Sequence, residues 1–324
     1  MSAGHRALVA DLAEALRELV LPLLGAHVGR AHAGAGHGGD VTFEIDVRAE
    51  ALLDEFVASR APSLAFYSED RGLVAPARGE ADAVLVVDPI DGTRPAMAGF
   101  EAACVSVALA PLGDGAPTMG DVALGCVTEI KSGARFLAQR GAGLQSSVAI
   151  APSANERIDR LFWTYGFRGR PAHELVTVLG DLIDASSVGG ATFELGSACF
   201  DMTRVLTGQL DAYVEPGPRM IEEIPGVRTA FERVGGGQVL NNSPYDLAAA
   251  TLCLQEGGVV VTDAAGRALG DRPLLGSGAE FQMSVLASAN ATLHARLLDV
   301  IGSGIERLRA IVLGPADARA TPGD

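Results

Sequence analysis

The stretch Val86-Val87-Asp88-Pro89-Ile90-Asp91-Gly92-Thr93 decides how this chain is read. An apolar run over residues 83–87 stops at two acids three positions apart, with Pro89 between them and Gly92-Thr93 behind. A short β-branched run of this kind predicts a buried strand. Ligands of α/β sheets gather at strand C-termini, so acids placed where the strand stops stand at a site. Pro89 fixes one backbone angle and Gly92 frees another. The expected result is a tight turn that aims Asp88, Asp91 and the Ile90 carbonyl at one point, an all-oxygen site for a hard cation.

Outward from this turn, 324 residues are enough for two units or one large layered fold. The pattern divides into an N-terminal α+β half, 1–150, and a C-terminal α/β half, 151–324. An apolar fraction of 48% supports a substantial core, and with aromatics at 5% that core must be mostly aliphatic. The formal net charge of −15 argues against a broad basic face for nucleic acid or an anionic membrane. An anionic substrate is still admissible if cations fill an acidic pocket, because they become the largest local charges there. Cys104, Cys126, Cys199 and Cys253 lack C-x-x-C spacing and sit among apolar residues. They read as buried small hydrophobes in a reducing compartment. No run has the length of a membrane span, and Glu14, Arg17 and Glu18 interrupt any signal-peptide core, so a cytoplasmic protein is expected.

Leu8, Leu12, Leu16, Leu19 and Leu23 fall at helical spacing and predict an amphipathic first helix. Residues 27–40 are Gly-rich and carry His27, His32 and His37; a mobile lid is expected rather than a histidine metal site, since a flexible loop gives no fixed geometry. A second helix is expected over 46–59. Strands are expected over 63–67, 103–110, 122–130 and 135–139, with a loop over 71–79. The second half alternates: strands over 161–165, 212–214, 259–261 and 283–287, and helices over 173–185, from Ser197 as N-cap to about 207, over 245–255 and over 291–311. The termini and residues 216–242 are expected to be the least ordered parts.

Five acids stand out: Asp46, Glu69, Asp88, Asp91 and Asp246. Singly, each could be an ordinary cap or surface acid. Their contexts, in order, resemble the inositol monophosphatase family, part of a larger group of Mg²⁺-dependent, lithium-sensitive phosphatases. Asp88-Pro89-Ile90-Asp91-Gly92-Thr93 carries the resemblance most strongly. Tyr67-Ser68-Glu69-Asp70 resembles the metal-bridging glutamate that precedes it, and Asp246 with Gln255-Glu256-Gly257-Gly258 behind it resembles the distal aspartate. Asp40-Val41-Thr42-Phe43-Glu44-Ile45-Asp46 resembles a flexible-loop segment, nearest to archaeal members acting on inositol monophosphate and fructose bisphosphate. Gly196-Ser197-Ala198 and Glu215 resemble the substrate-facing segment.

The resemblance implies a layered αβαβα sandwich and a phosphomonoesterase with two or three Mg²⁺ ions. Glu69, Asp88, the Ile90 carbonyl, Asp91 and Asp246 would hold the ions. Thr93 with Asp46, together with Glu69, would take the proton of the attacking water. Asp91, Gly92, Thr93, Gly196, Ser197, Ala198 and Glu215 would face the substrate, a small phosphorylated polyol, sugar or nucleotide. A homodimer is expected on the same ground.

The match has departures. Thr93 is followed by Arg94-Pro95-Ala96 where the family continues x-Asn-Phe, so the Asn and the aromatic are missing and Arg94 is new. Arg94 reads equally as a contact to a second anionic group or as a surface residue. Between Glu215 and Asp246 a long segment intervenes, with Arg219, Glu222, Glu223, Arg228 and Arg233 in it. It sets specificity, makes a surface excursion, or forms an oligomer contact. Gly235-Gly236-Gly237 reads as a turn, because no Lys-Ser/Thr follows. The rival readings are a bisphosphate substrate (fructose 1,6-bisphosphate or a nucleotide 3′,5′-bisphosphate) and a family member acting mainly as a protein- or RNA-binding regulator.

Overall fold

The structure is a computed structural model and describes residues 2–26, 32–35 and 41–317. Helix α1 (Ala3–Val20) turns Val9, Leu12, Ala13, Leu16 and Val20 inward. A two-stranded ribbon, β1 (His32–Ala35) with β2 (Val41–Phe43), leads into helix α2 (Glu44–Arg60). His27 and His37 lie outside the described residues, as does the side chain of His32.

Strands β3 (Ala65–Ser68), β4 (Gly72–Val74) and β5 (Ala83–Asp91) follow. After the short helix α3 (Thr93–Ala98) come β6 (Cys104–Pro111), β7 (Leu124–Glu129), β8 (Arg135–Gln139) and β9 (Gly143–Ser146). They form one seven-stranded sheet in the order β4-β3-β5-β6-β7-β8-β9. All its pairings are antiparallel except β3 with β5. The expected loop over 71–79 therefore begins with an edge strand, β4, too short to show a period of two.

The second half holds β10 (Phe162–Tyr165), α4 (Ala172–Ser186), β11 (Ala191–Phe193), α5 (Ala198–Leu206) and β12 (Ala212–Glu215). Next are α6 (Gly217–Glu223), α7 (Arg228–Val234), α8 (Pro244–Glu256), β13 (Val260–Thr262), β14 (Val285–Ser288) and α9 (Ala291–Asp317). The five-stranded sheet runs β11-β10-β12-β14-β13. Ser197 caps α5, its hydroxyl accepting from Phe200 N at 3.1 Å.

Three apolar clusters define the layers. Helices α1 and α2 pack on one face of the large sheet. On its other face, α5 and α8 fill the space between the sheets, with Val84, Val86 and Phe136 on one side and Tyr213, Val285 and Ala287 on the other. Helices α4 and α9 close the outer face of the small sheet. This is the αβαβα sandwich. The four cysteines are free and buried. Among the described residues no helix is long and apolar enough to cross a membrane.

Residues 216–242 depart from expectation. They fold into α6 and α7, with Met220, Ile224, Val227 and Phe231 buried in the outer cluster. Helices of seven residues are too short to declare a period in the sequence, and tertiary burial stabilises them instead.

Candidate active site

Strand β5 carries its acids into a cleft by breaking its own ladder. Pairing with β6 is regular through Asp88↔Ser106, then shifts before Asp91↔Cys104. Pro89 has no N–H to give, and Ile90 N donates to Asp88 Oδ1 at 3.0 Å instead. The bulge turns Asp88 and Asp91 to the same side. Gly92 then adopts φ +90°, and a Cβ there would stand 2.6 Å from the Ala102 carbonyl oxygen and 2.8 Å from Ser197 Cβ. Only glycine fits this corner.

Three elements fix the carboxylates. Asp91 Oδ2 accepts from Ser197 Oγ at 2.8 Å and from Cys199 N at 2.5 Å, both at the head of α5. Asp246 sits in the first turn of α8, where its Oδ2 accepts from Ser243 N at 2.6 Å. Asp46 sits likewise in the first turn of α2: Oδ2 accepts from Phe43 N at 2.8 Å, and Oδ1 lies 3.2 Å from Thr93 Oγ1. For Asp46 and Asp246 the capping role and the place in the cleft coincide, because one carboxylate oxygen caps the helix and the other is left over.

Asp88, Asp91 and Asp246 each offer an oxygen, and these oxygens lie within 4.8 Å of one another. Asp88 is 2% and Asp91 7% exposed. Burial pushes Asp88 well above the usual carboxylate range, with Asp91, Glu69 and Asp246 adding repulsion. Asp91 is raised by burial against the opposing pull of its Cys199 and Ser197 hydrogen bonds. Asp246 is pushed up to about 7 by burial and by Asp91. Buried like charges at this spacing are costly unless protons or cations neutralise them. An all-oxygen donor set of this kind fits a hard divalent ion.

The cleft is lined by Asp46, Glu69, Asp88, Ile90, Asp91, Gly92, Thr93, Arg94, Gly196, Ser197, Ala198 and Asp246. The structure thus brings together the residues that the resemblance assigns to the metal and substrate site, with Arg94, except Glu215. That residue is fully buried and stands behind the wall, where it is ion-paired to Arg170. Arg94 lies at the cleft with its guanidinium carbon 5.5 Å from the centre of the Phe43 ring. The sequence reading missed the opposite wall: Arg168 and Arg170 after β10, Asp201 on α5, and Asn241, Asn242 and Gln282. A signal existed, since Arg168-Gly169-Arg170 follows the C-terminal end of a predicted strand.

The sequence pattern that describes the inositol monophosphatase family matches residues 5–305. The chain belongs to that family. A relative is the fructose-1,6-bisphosphatase/inositol-1-monophosphatase of Methanothermobacter thermautotrophicus, 26% identical over 298 residues, covering 90% of this chain and 94% of that protein. The Nus factor SuhB of Vibrio cholerae is 26% identical over 231 residues, covering 70% and 73%. Among solved structures, the extragenic suppressor protein SuhB of Bartonella henselae superposes with a TM-score of 0.70 at 20% identity, over 94% of this chain and all of that one. The IMPase of Thermotoga maritima gives 0.66 at 20% identity, over 92% and 96%. These likenesses show the same fold. Enzymes of the inositol monophosphatase family are phosphoric monoester hydrolases, and this family member carries an acidic cluster able to hold metal.

Proposed function

We propose that the chain is a Mg²⁺-dependent phosphomonoesterase acting on a small phosphorylated polyol, sugar or nucleotide. The observation that carries this reading is the convergence of Asp88, Asp91 and Asp246, with ligand oxygens within 4.8 Å, in a mostly buried setting. With Glu69 and the Ile90 carbonyl they would hold two or three Mg²⁺ ions. Bound there, the ions would polarise the phosphoryl oxygens and lower the pKa of the attacking water.

The chain's own residues complete the site. Thr93 Oγ1 has one proton and two acceptors, Asp46 Oδ1 at 3.2 Å and the Ile90 carbonyl at 3.1 Å. A lone pair on Thr93 would accept from the water while its own proton passes to the Asp46 carboxylate, so that Asp46 ends with the proton, with Glu69 as the second acid beside the water. Ser197 and Cys199 N hold Asp91 in one orientation, so its second oxygen stays aimed into the cleft. Gly92 and Thr93 stand at the start of α3, where backbone N–H groups without helical partners suit a phosphoryl oxygen. The ester is cleaved by direct attack of water, without a covalent enzyme intermediate.

The test is phosphate release from a panel of monoesters and bisphosphates with Mg²⁺, repeated with chelator. Release that is indifferent to chelator removes the reading. A second reading, a regulatory binding role, draws on the Vibrio cholerae relative's name, Nus factor. Phosphate turnover lost in Asp91→Asn favours catalysis; a partner retained equally by both proteins favours regulation. A homodimer is the assembly we expect, to be checked by light scattering.

A further inference from the structure

Glu215 stands where the family resemblance implies a carboxylate facing the substrate, yet both its oxygens are engaged elsewhere. One is paired with Arg170 and the other accepts from Gly217 N at 2.8 Å. Arg170, not Glu215, lines the cleft. Its side chain is 5% exposed and fixed from several sides. Nη1 donates to the carbonyls of Arg168 and, at 3.1 Å, Leu240; Nη2 donates to Glu215 and, at 3.3 Å, to Asn242 Oδ1. Its Nε–H is buried and has no partner among the described residues. The surrounding backbone is cut to this arrangement: a Cβ at Gly166 would overlap Glu215 Oε2, and one at Gly169 would meet the Leu240 carbonyl oxygen at 2.6 Å. Leu240 and Asn242 close the long segment after Glu215, so Arg170 also pins that segment to the wall.

The hydrogen-bonding sense of this wall follows. A carboxylate only accepts, and so reads hydroxyl groups; a guanidinium only donates, and so reads acceptor oxygens. Arg168, on the same loop, extends the cationic character toward Asp246, whose carboxyl it helps to hold down. Glu194 is the exposed counter-charge at the rim. We propose that Arg170 is a specificity-determining residue: it keeps Glu215 from the substrate and leaves one unpartnered donor, its Nε–H, at the cleft wall in its place. The leaving group must then bring an anionic acceptor there, a carboxylate or a second phosphoryl group, rather than hydroxyls alone. This inference rests on the phosphatase reading above.

The test compares 2-phosphoglycerate with glycerol 2-phosphate, which differ by one carboxylate in place of a hydroxymethyl group. With Mg²⁺, the unmodified protein is expected to favour 2-phosphoglycerate in kcat/KM by about tenfold, the gap of one good charged contact, and mainly through KM. In the double variant Arg170→Gln/Glu215→Gln, where two amides keep the buried site neutral, the ratio is expected to fall toward one. Arg170→Lys, which keeps the charge and loses the fork, should give an intermediate ratio. Equal efficiency on both esters by the unmodified protein overturns the inference while leaving the phosphatase reading intact. So does an undiminished ratio in a double variant whose circular dichroism is unchanged. Failure to release phosphate from any ester overturns both.

Discussion

The two walls of the cleft are built on opposite plans. The wall from the large sheet gathers Asp88, Asp91, Asp46 and Glu69, with Asp246 arriving on α8; it is acidic and tightly braced, and its buried like charges are costly unless protons or cations neutralise them. The wall from the small sheet is made of Arg168, Arg170, Asn241, Asn242 and Gln282 with Asp201 on α5, and Glu215 behind it is already paired within the protein. The first wall needs a partner to be at ease, whereas the second satisfies nearly all its own groups. The lesson is a contrast in how charge is handled: one wall leaves like charges together, and the other pairs its guanidinium and carboxylate within the protein.

The largest expected effect breaks the first wall. Asp91→Asn and Asp246→Asn should each reduce phosphate release to the level of the enzyme-free control, with circular dichroism unchanged, since an amide carbonyl can still accept from Cys199 N or Ser243 N. Next, Mg²⁺ should raise the melting temperature progressively, by the equivalent of about 2.7 kcal/mol at a hundredfold excess over Kd. The same titration on Asp91→Asn should be nearly flat. Gly92→Ala should cost on the order of 1–3 kcal/mol in denaturant titration, because φ +90° is strained for alanine and the Ala102 carbonyl oxygen lies 2.6 Å from the new Cβ.

The pH dependence sharpens the comparison further. Burial raises Asp246 from 3.8 and Glu50 from 4.5, each to about 7. Between those lower and upper values the folded chain holds more protons than the unfolded chain, so stability must fall as pH rises. Metal-free protein should therefore melt at lower temperature at pH 7.5 than at pH 5, and Mg²⁺ should shrink or reverse that difference. Glu50 accepts from Ser68 Oγ at 2.8 Å, and Glu50→Gln should retain that bond while making the slope shallower. The smallest effect is expected for Ser197→Ala, which removes one hydrogen bond to Asp91 and the cap of α5, for about 1 kcal/mol in chemical unfolding.

The legible part of the site was the part written contiguously. Asp88, Pro89, Ile90, Asp91, Gly92 and Thr93 occupy one bulge and one turn, so their residue types constrain one another within a few bonds. Asp46 and Asp246 were legible by context, and each stands at the third position of a helix. Arg170 was not: its partner Glu215 lies 45 positions away and its carbonyl partner Leu240 lies 70 away. Helices α6 and α7 escaped notice for a related reason, since their burial against the α4–α9 layer is non-local.

By itself, then, the sequence determined the alternation of strands and helices and the acidic turn at residues 88–93, an all-oxygen site for a hard cation, while the class of reaction came from its resemblance to a family. Those are local matters, set by side-chain period, by the fixed φ of proline and by the freedom of glycine. The tertiary structure alone decided which wall Glu215 belongs to, how far apart the carboxylates of β5 and α8 come to rest, and that Arg168 and Arg170 line the cleft. Those depend on contacts between segments distant in the chain, where burial and charge pairing outweigh anything a neighbouring residue dictates.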